Sequence, residues 1–401
     1  MPVVVTRCVI VLLLALPLTF AMLPLNMSVA DGWAACALPL CWVVLLRQGR
    51  GMRLPYLPAF LLILGATFLA SLYSADPAAG LVVAVQDAYL YVWMITLAAV
   101  FENVDARDQR ALLSAWCAGA GLSALLIVAQ FAHPPLLTLV RDLVGGGGAE
   151  ETLYRPSGLM ANSNAAANFH VWSLLPLILL RPRTEVFAAL ILLNTAAVLC
   201  TGSLGAAVAL ASGVAAGVTV LLLFSPDVRT VASLTLRSIL AATVVLLAVV
   251  LLMSGGSELS ERLQSVSVAR GERSADGRFE LWQRGADALL SDLPVVGMGP
   301  DRFRQVEGSE LHNDILGFAV ERGLLGLLGL GLLFGSAVVR SVTLFRLERA
   351  RGRLRAAVFP AALAAVLAAS LTHEIFHSRE VWLMLAVQEA ALWRARRAHA
   401  A

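Results

Sequence analysis

The chain is a succession of apolar stretches, each near the length that crosses a bilayer and joined by brief polar connections. A crossing needs about 20 apolar residues. The windows that meet this run roughly 6–25, 30–46, 55–73, 80–101, 111–132, 162–180, 184–201, 205–224, 238–254, 315–339, 356–371 and 381–393. A soluble fold cannot hide that much apolar surface. Only 14% of the 401 residues are charged, against roughly a quarter in soluble domains. The expected fold is an all-α polytopic membrane protein with about 12 transmembrane helices.

Arginine placement orients these spans. The chain holds no lysine, so arginine alone carries the charge bias that marks cytoplasmic connections. With the N-terminus inside, the inner segments hold nineteen arginines: Arg7, Arg47, Arg50, Arg53, Arg107, Arg110, Arg181, Arg183, Arg229, Arg237, six from Arg340 to Arg355, and Arg394, Arg396 and Arg397. The outer turns 26–29, 74–79 and 202–204 hold none, and 372–380 holds only Arg379. The stretch from Arg7 to about Leu25 resembles a signal peptide and is read as an uncleaved first span. Net charge is +3, too small to suggest nucleic acid as a partner. The five cysteines all lie inside apolar runs without metal-ligand spacing and read as small buried hydrophobes.

The domain organisation expected is a bundle of nine spans over 1–254, with an outer loop at 133–161. A long, partly helical outer loop covers 255–310. Three spans and a basic cytoplasmic tail cover 311–401. Long loops translocate regardless of charge, so the seven arginines of 255–310 are permitted there. Long structured loops among minimal connections usually carry function. The first loop holds the Gly145–Gly148 run and then Tyr154-Arg155-Pro156-Ser157-Gly158. In the second, Asp276 is a candidate N-cap for a helix carrying Arg278, Glu280, Trp282 and Arg284. Glu280 and Arg284 have the spacing of an i,i+4 pair, and Arg278 and Trp282 share another face. Leu293-Pro294 ends that helix, and Gly297-Met298-Gly299-Pro300 turns back toward the membrane. From Leu311 to Arg340 the chain reads as one helix.

His312 is the leading candidate for chemistry, because imidazole is the side chain whose unperturbed pKa lies nearest neutrality. It stands where the long loop meets an apolar helix, flanked by Asn313 and Asp314 as groups able to orient the ring; the competing reading is an interfacial histidine bonded to headgroup or loop. Arg155 precedes a helix that starts with Asn162, Ser163 and Asn164. Helix N-termini favour anions, and a guanidinium fork pairs with phosphate oxygens; a salt bridge to Glu150 or Glu151 is the structural alternative. Arg278 has Asp276 and Glu280 as alternative partners, and Trp282 reads as packing or as a sugar platform. Glu321 and Arg322 are costly if they face lipid, which points to protein partners or an interfacial position. His373 and His377 have i,i+4 spacing in an outer turn, but no third ligand follows, so no metal site is expected.

These residues in order resemble the bacterial O-antigen ligase and polymerase superfamily. The resemblance rests on Arg155-Pro156-x-Gly158 with Asn162-x-Asn164, Thr201-Gly202-Ser203, Arg278-x-x-x-Trp282, Pro294-x-x-Gly297-x-Gly299, and His312-Asn313 with Glu321-x-Gly323-x-x-Gly326. It runs from about 130 to 345, and the Asn-Asp after the histidine and the loop size look more like the ligase branch. The resemblance implies an inverting, GT-C-like glycosyltransferase of the inner membrane. It would move O-antigen from undecaprenyl diphosphate to lipid A–core on the periplasmic side, without ATP or divalent metal and with no cofactor. On that reading His312 activates the acceptor hydroxyl. Arg155 and Arg278 hold the diphosphate, with Asn162, Asn164, Trp282 and Asn313 as further substrate contacts. Many members carry arginine after the Thr/Ser-x-Ser turn, where this chain has Leu204; Arg270, Arg273 and Arg302 are candidate replacements.

Rival readings are a polymerase or protein O-oligosaccharyltransferase of the same superfamily, which differ in acceptor, and a lipid-linked glycan transporter. Transporters place ionisable groups at midplane and often show repeats. No repeat is visible here, and the notable polar residues cluster on the outer side.

Overall fold

The computed structural model describes residues 3–19, 28–49, 52–144, 155–160, 162–224, 277–290 and 295–400. Among them the regular structure is helical throughout. In order the helices are α1 Val3–Ala15, α2 Val29–Arg47, α3 Leu57–Tyr73, α4 Pro77–Asn103, α5 Ala106–Ala132, α6 Pro134–Val144, α7 Ser163–Trp172 and α8 Leu174–Leu180. They continue as α9 Thr184–Cys200, α10 Leu204–Phe224, α11 277–290, α12 Arg302–Glu307, α13 Asp314–Arg349, α14 Val358–Ser370 and α15 Arg379–Ala400. Six segments (α2, α4, α5, α7 with α8, α10 and α13) are long and apolar enough to cross a membrane, and α1, α3, α9 and α14 are shorter apolar helices. The chain is a multi-pass membrane protein. The expected span at 238–254 lies outside the described residues.

Local signals set the helix starts. Asp105 caps α5 through the Asp108 N–H, and Asp76 caps α4 ahead of Pro77 at the first helical position, where proline's missing donor costs nothing. Ser28 and Asp31 form a reciprocal capping box on α2. In the core α13 packs on α3 and α15, α15 on α4, and α10 on α14. Trp93, Trp116, Trp172 and Trp382 are fully buried within it.

The two ends of the bundle differ. At one end Tyr56 donates to Glu389 at 2.7 Å, Arg340 pairs with the same carboxylate at 2.7 Å, and Arg397 meets Glu102 at 2.9 Å. Arg394 donates to the carbonyls that close α4, and Arg53 lies 5.0 Å over the Trp393 ring. At the opposite end the α3 terminus reaches the loop before α12, where Ser74 touches Gly299. There, too, Arg379 at the start of α15 pairs with Asp31 at the start of α2.

One expectation is corrected. The chain does not run as a single helix from Leu311: His312 stands outside α13 at φ 52°, and α13 is broken at Gly323, with φ 64° and ψ −169°. Opening a helix frees backbone groups that lipid cannot satisfy, so such breaks survive only against protein or water. Here the segment 295–299 supplies the partners. Met298 N–H donates to the Val320 carbonyl at 2.9 Å and Gly299 N–H to the Glu321 carbonyl at 3.0 Å. A Cβ on Gly323 would lie 2.3 Å from the Val295 carbonyl oxygen, and one on Gly297 2.5 Å from the Gly323 nitrogen. The long loop is thus stitched, backbone to backbone, into the helix that follows the histidine.

Candidate functional site

Arg155 opens the site. Its Nε donates to the Thr201 carbonyl at 2.7 Å, and a terminal nitrogen donates to the Asn164 Oδ1 at 2.9 Å. The guanidinium therefore ties the N-terminus of α7 to the turn between α9 and α10. Asn162 caps α7 through the Ala165 N–H at 2.7 Å. The segment itself is clamped, since Gln130 both accepts from and donates to the Gly158 backbone, at 2.9 and 3.1 Å. Beyond Thr201, the Ser203 Oγ lies 3.3 Å from Nε2 of His373.

From the other side comes α11, carrying Arg278 and Trp282. The Trp282 indole N–H donates to the Leu311 carbonyl at 2.9 Å, and Trp282 packs on a small apolar cluster of Phe303, Leu311 and Val320. It thereby fixes the backbone immediately before His312. Asn313 caps α13 through the Leu316 N–H at 3.1 Å. Asp314 accepts from Ile375 and Phe376 N–H at 3.1 and 3.3 Å, which binds the start of α13 to the turn before α15. His312 is thus held on both sides in a left-handed backbone conformation. Such conformations cost about 1–3 kcal/mol and cluster at functional sites.

Electrostatics join these pieces. Burial, and then the Arg278 guanidinium, depress the proton affinity of His312, with Glu310 opposing. Burial pushes His373 down to about 3, helped by Arg278, His312 and Arg155. Arg278 is itself pushed down by burial, and among the described residues it has no acidic partner. Four groups from four places in the chain therefore converge on one site, with both imidazoles neutral near pH 7. At its edge Glu374 accepts from the His312 backbone N–H. Loss of hydration, together with Glu310, Glu321 and Asp314, drives its carboxyl up to about 9.

The structure thus brings together Arg155, Asn164, Arg278 and His312, and adds Ser203, His373 and Glu374. Asn162 and Asn313 stand beside them as helix caps, and Trp282 as a support. His373 and His377 do not converge, because the turn between α14 and α15 is not helical. His373 faces Ser203, while His377 Nε2 lies 2.9 Å from Asp87. Arg284 bonds Glu307 at 2.9 Å, with its expected partner Glu280 as a further stabilising charge. Arg302 contacts Gln305 at 3.3 Å. Leu204, where the resemblance anticipates arginine, is exposed. Asp276, Arg270, Arg273, Glu150, Glu151, the Gly145–Gly148 run and Pro294 lie outside the described residues. His170 is a core histidine, bonded to Asn194 at 2.9 Å.

Guanidinium groups and neutral imidazoles thus gather at loop–helix junctions at one end of a helical membrane protein. A family model described as O-Antigen ligase matches residues 187–331, and this match supports membership of the O-antigen ligase family. The matched stretch takes in the Thr201–Ser203 turn, Arg278, Trp282, His312 and Gly323; Arg155 and His373 lie outside it. No curated protein matches the chain.

Proposed function

We propose that the protein is an O-antigen ligase, transferring O-antigen polysaccharide from undecaprenyl diphosphate to lipid A–core at the periplasmic face of the bacterial inner membrane, with inversion and without a metal. The observation that carries this reading is His312, its proton affinity lowered beside Arg278, with Arg155 acting on neighbouring His373, at the end of the bundle away from the Arg340, Arg394 and Arg397 cluster. Since cytoplasmic connections are arginine-rich, that end faces outward.

In the proposed reaction an acceptor hydroxyl attacks the anomeric carbon of the lipid-linked sugar and its proton passes to His312. A neutral imidazole within hydrogen-bond reach suits that task. The bond from the anomeric carbon to the diphosphate oxygen breaks, and its electron pair leaves with the diphosphate. Arg155 and Arg278 meet the growing negative charge as fixed groups that need no rearrangement. Asn164 keeps the Arg155 fork in place.

Purified protein supplied with lipid-linked glycan tests the reading when offered lipid A–core, a second lipid-linked glycan or a pilin as acceptor. Transfer to lipid A–core alone is the expected result. Chain extension of the second lipid-linked glycan, or transfer to the pilin, would reassign the protein within the superfamily. His312→Ala should abolish transfer while the protein still inserts; near-wild-type transfer would remove His312 from the mechanism.

A further inference from the structure

His373 has no task in the reaction as written, yet the fold makes room for it. Its side chain is 5% exposed. Gly205 stands where any Cβ would lie 2.4 Å from His373 Nε2 and 2.5 Å from Thr372 Oγ1, so the first turn of α10 is bare where the ring sits. The contact with Ser203, at 3.3 Å, is the hydrogen bond made by the ring among the described residues. Ser203 is itself 4% exposed and precedes α10, with its carbonyl accepting from Ala207 N–H at 3.1 Å.

A core histidine kept for packing would be an odd choice here. Buried polar groups cost free energy unless well satisfied, and this one is surrounded by Arg155, Arg278 and His312 with a single long contact. An apolar side chain would fill the same space without that penalty. A neutral imidazole offers one donor and one acceptor. When one ring nitrogen engages the serine hydroxyl, the pair as a whole still has one hydrogen to give.

We propose that His373 and Ser203 act together as a hydrogen-bond donor to an oxygen of the lipid-linked diphosphate, alongside Arg155 and Arg278. This rests on the proposed reading of these residues as a lipid-diphosphate site. The arginines supply charge, and the pair supplies a directed donor at the α9–α10 turn, where Leu204 contributes none. Donation to a charged acceptor is stronger than between neutral groups, so the loss on deletion is readable as affinity.

The test is binding of undecaprenyl diphosphate, without sugar, to the detergent-solubilised full chain, together with steady-state transfer. Ser203→Ala and His373→Ala should each weaken Kd about tenfold, the size expected for a donor to a charged group. The double variant should lose no more than the worse single one, because the residues act as a unit. His373→Gln, which keeps an N–H, should recover most of the affinity. In transfer, KM for the lipid-linked donor should rise with kcat little changed, whereas a misfolded fraction would lower kcat at constant KM. Kd within twofold of wild type for both alanine variants would overturn the pair. So would a donor KM that stays at the wild-type value in both. If wild type itself binds no undecaprenyl diphosphate, the reading of the site fails along with the pair, a result distinct from selective indifference of the variants.

Discussion

Arg322 and Asp87 meet inside the bundle, 2.9 Å apart, with side chains 3% and 0% exposed. Thr67 donates to the same carboxylate at 3.2 Å and His377 Nε2 lies 2.9 Å from it. The guanidinium also lies 4.2 Å over the Phe318 ring and 5.4 Å over Phe376. The pair joins α4 to α13 one residue before the helix break, so it anchors the element that carries the site.

Removing one partner strands a buried charge. Arg322→Ala or Asp87→Ala should each destabilise the protein by about 3–5 kcal/mol, whereas the double replacement Arg322→Met with Asp87→Leu should recover most of that loss. Thermal unfolding in detergent measures both. Additive losses in the double variant would show that the two residues do not act as a pair.

The break at Gly323 sets a second expectation. Gly323→Ala places a Cβ against the Val295 carbonyl in a left-handed conformation, so destabilisation should exceed the ~1 kcal/mol typical of such exchanges. The loop should also lose its dock, read as faster proteolytic cleavage within 295–301. Unchanged cleavage would mean that the loop holds by other contacts.

The helices were far more legible in the sequence than this break. The apolar windows 111–132 and 205–224 fall within α5 and α10, because lipid demands long apolar runs. Gly323 sits among Gly326 and Gly329 in a run that reads as continuous helix. Its unusual conformation depends on docking by a segment some 25 residues earlier, which periodicity does not encode. Arg155 and Asn164 were readable together from their spacing. Asp87 and Arg322 are 235 residues apart, and nothing local to either announces the other. His373 and His377 part company in the structure because i,i+4 spacing implies a shared face only in a helix, and the turn between α14 and α15 is not one.

The pH response follows from His312 and His373. Both have folded proton affinities below the ordinary value of 6.5. The unfolded chain therefore takes up protons first as pH falls, and their contribution to stability is present above pH 6.5 and lost below it, for His373 over the window down to about 3. In transfer, the acid limb of kcat/KM should lie below 6.5. Arg278→Gln removes one depressing influence and should move that limb upward, while Glu310→Gln should move it further down. A limb that stays fixed in both variants would dissociate it from His312.

Trp282→Phe retains the ring's packing but deletes the bond to the Leu311 carbonyl. A stability loss of about 1 kcal/mol is expected, with transfer falling more than stability does because the His312 backbone is less firmly held. Equal donor KM and kcat in this variant and wild type would reduce Trp282 to a packing residue.

Ser203 and His373, 170 positions apart, meet at 3.3 Å, and this has a consequence for biogenesis. A ribosome that has delivered the chain through α13 to the bilayer has made Arg155, Ser203, Arg278 and His312, but not the turn that seats His373 and grips Asp314. On the proposed reading the nascent chain should stay inert toward lipid-linked sugar until its closing helices enter, and a product truncated before residue 372 should insert and do nothing.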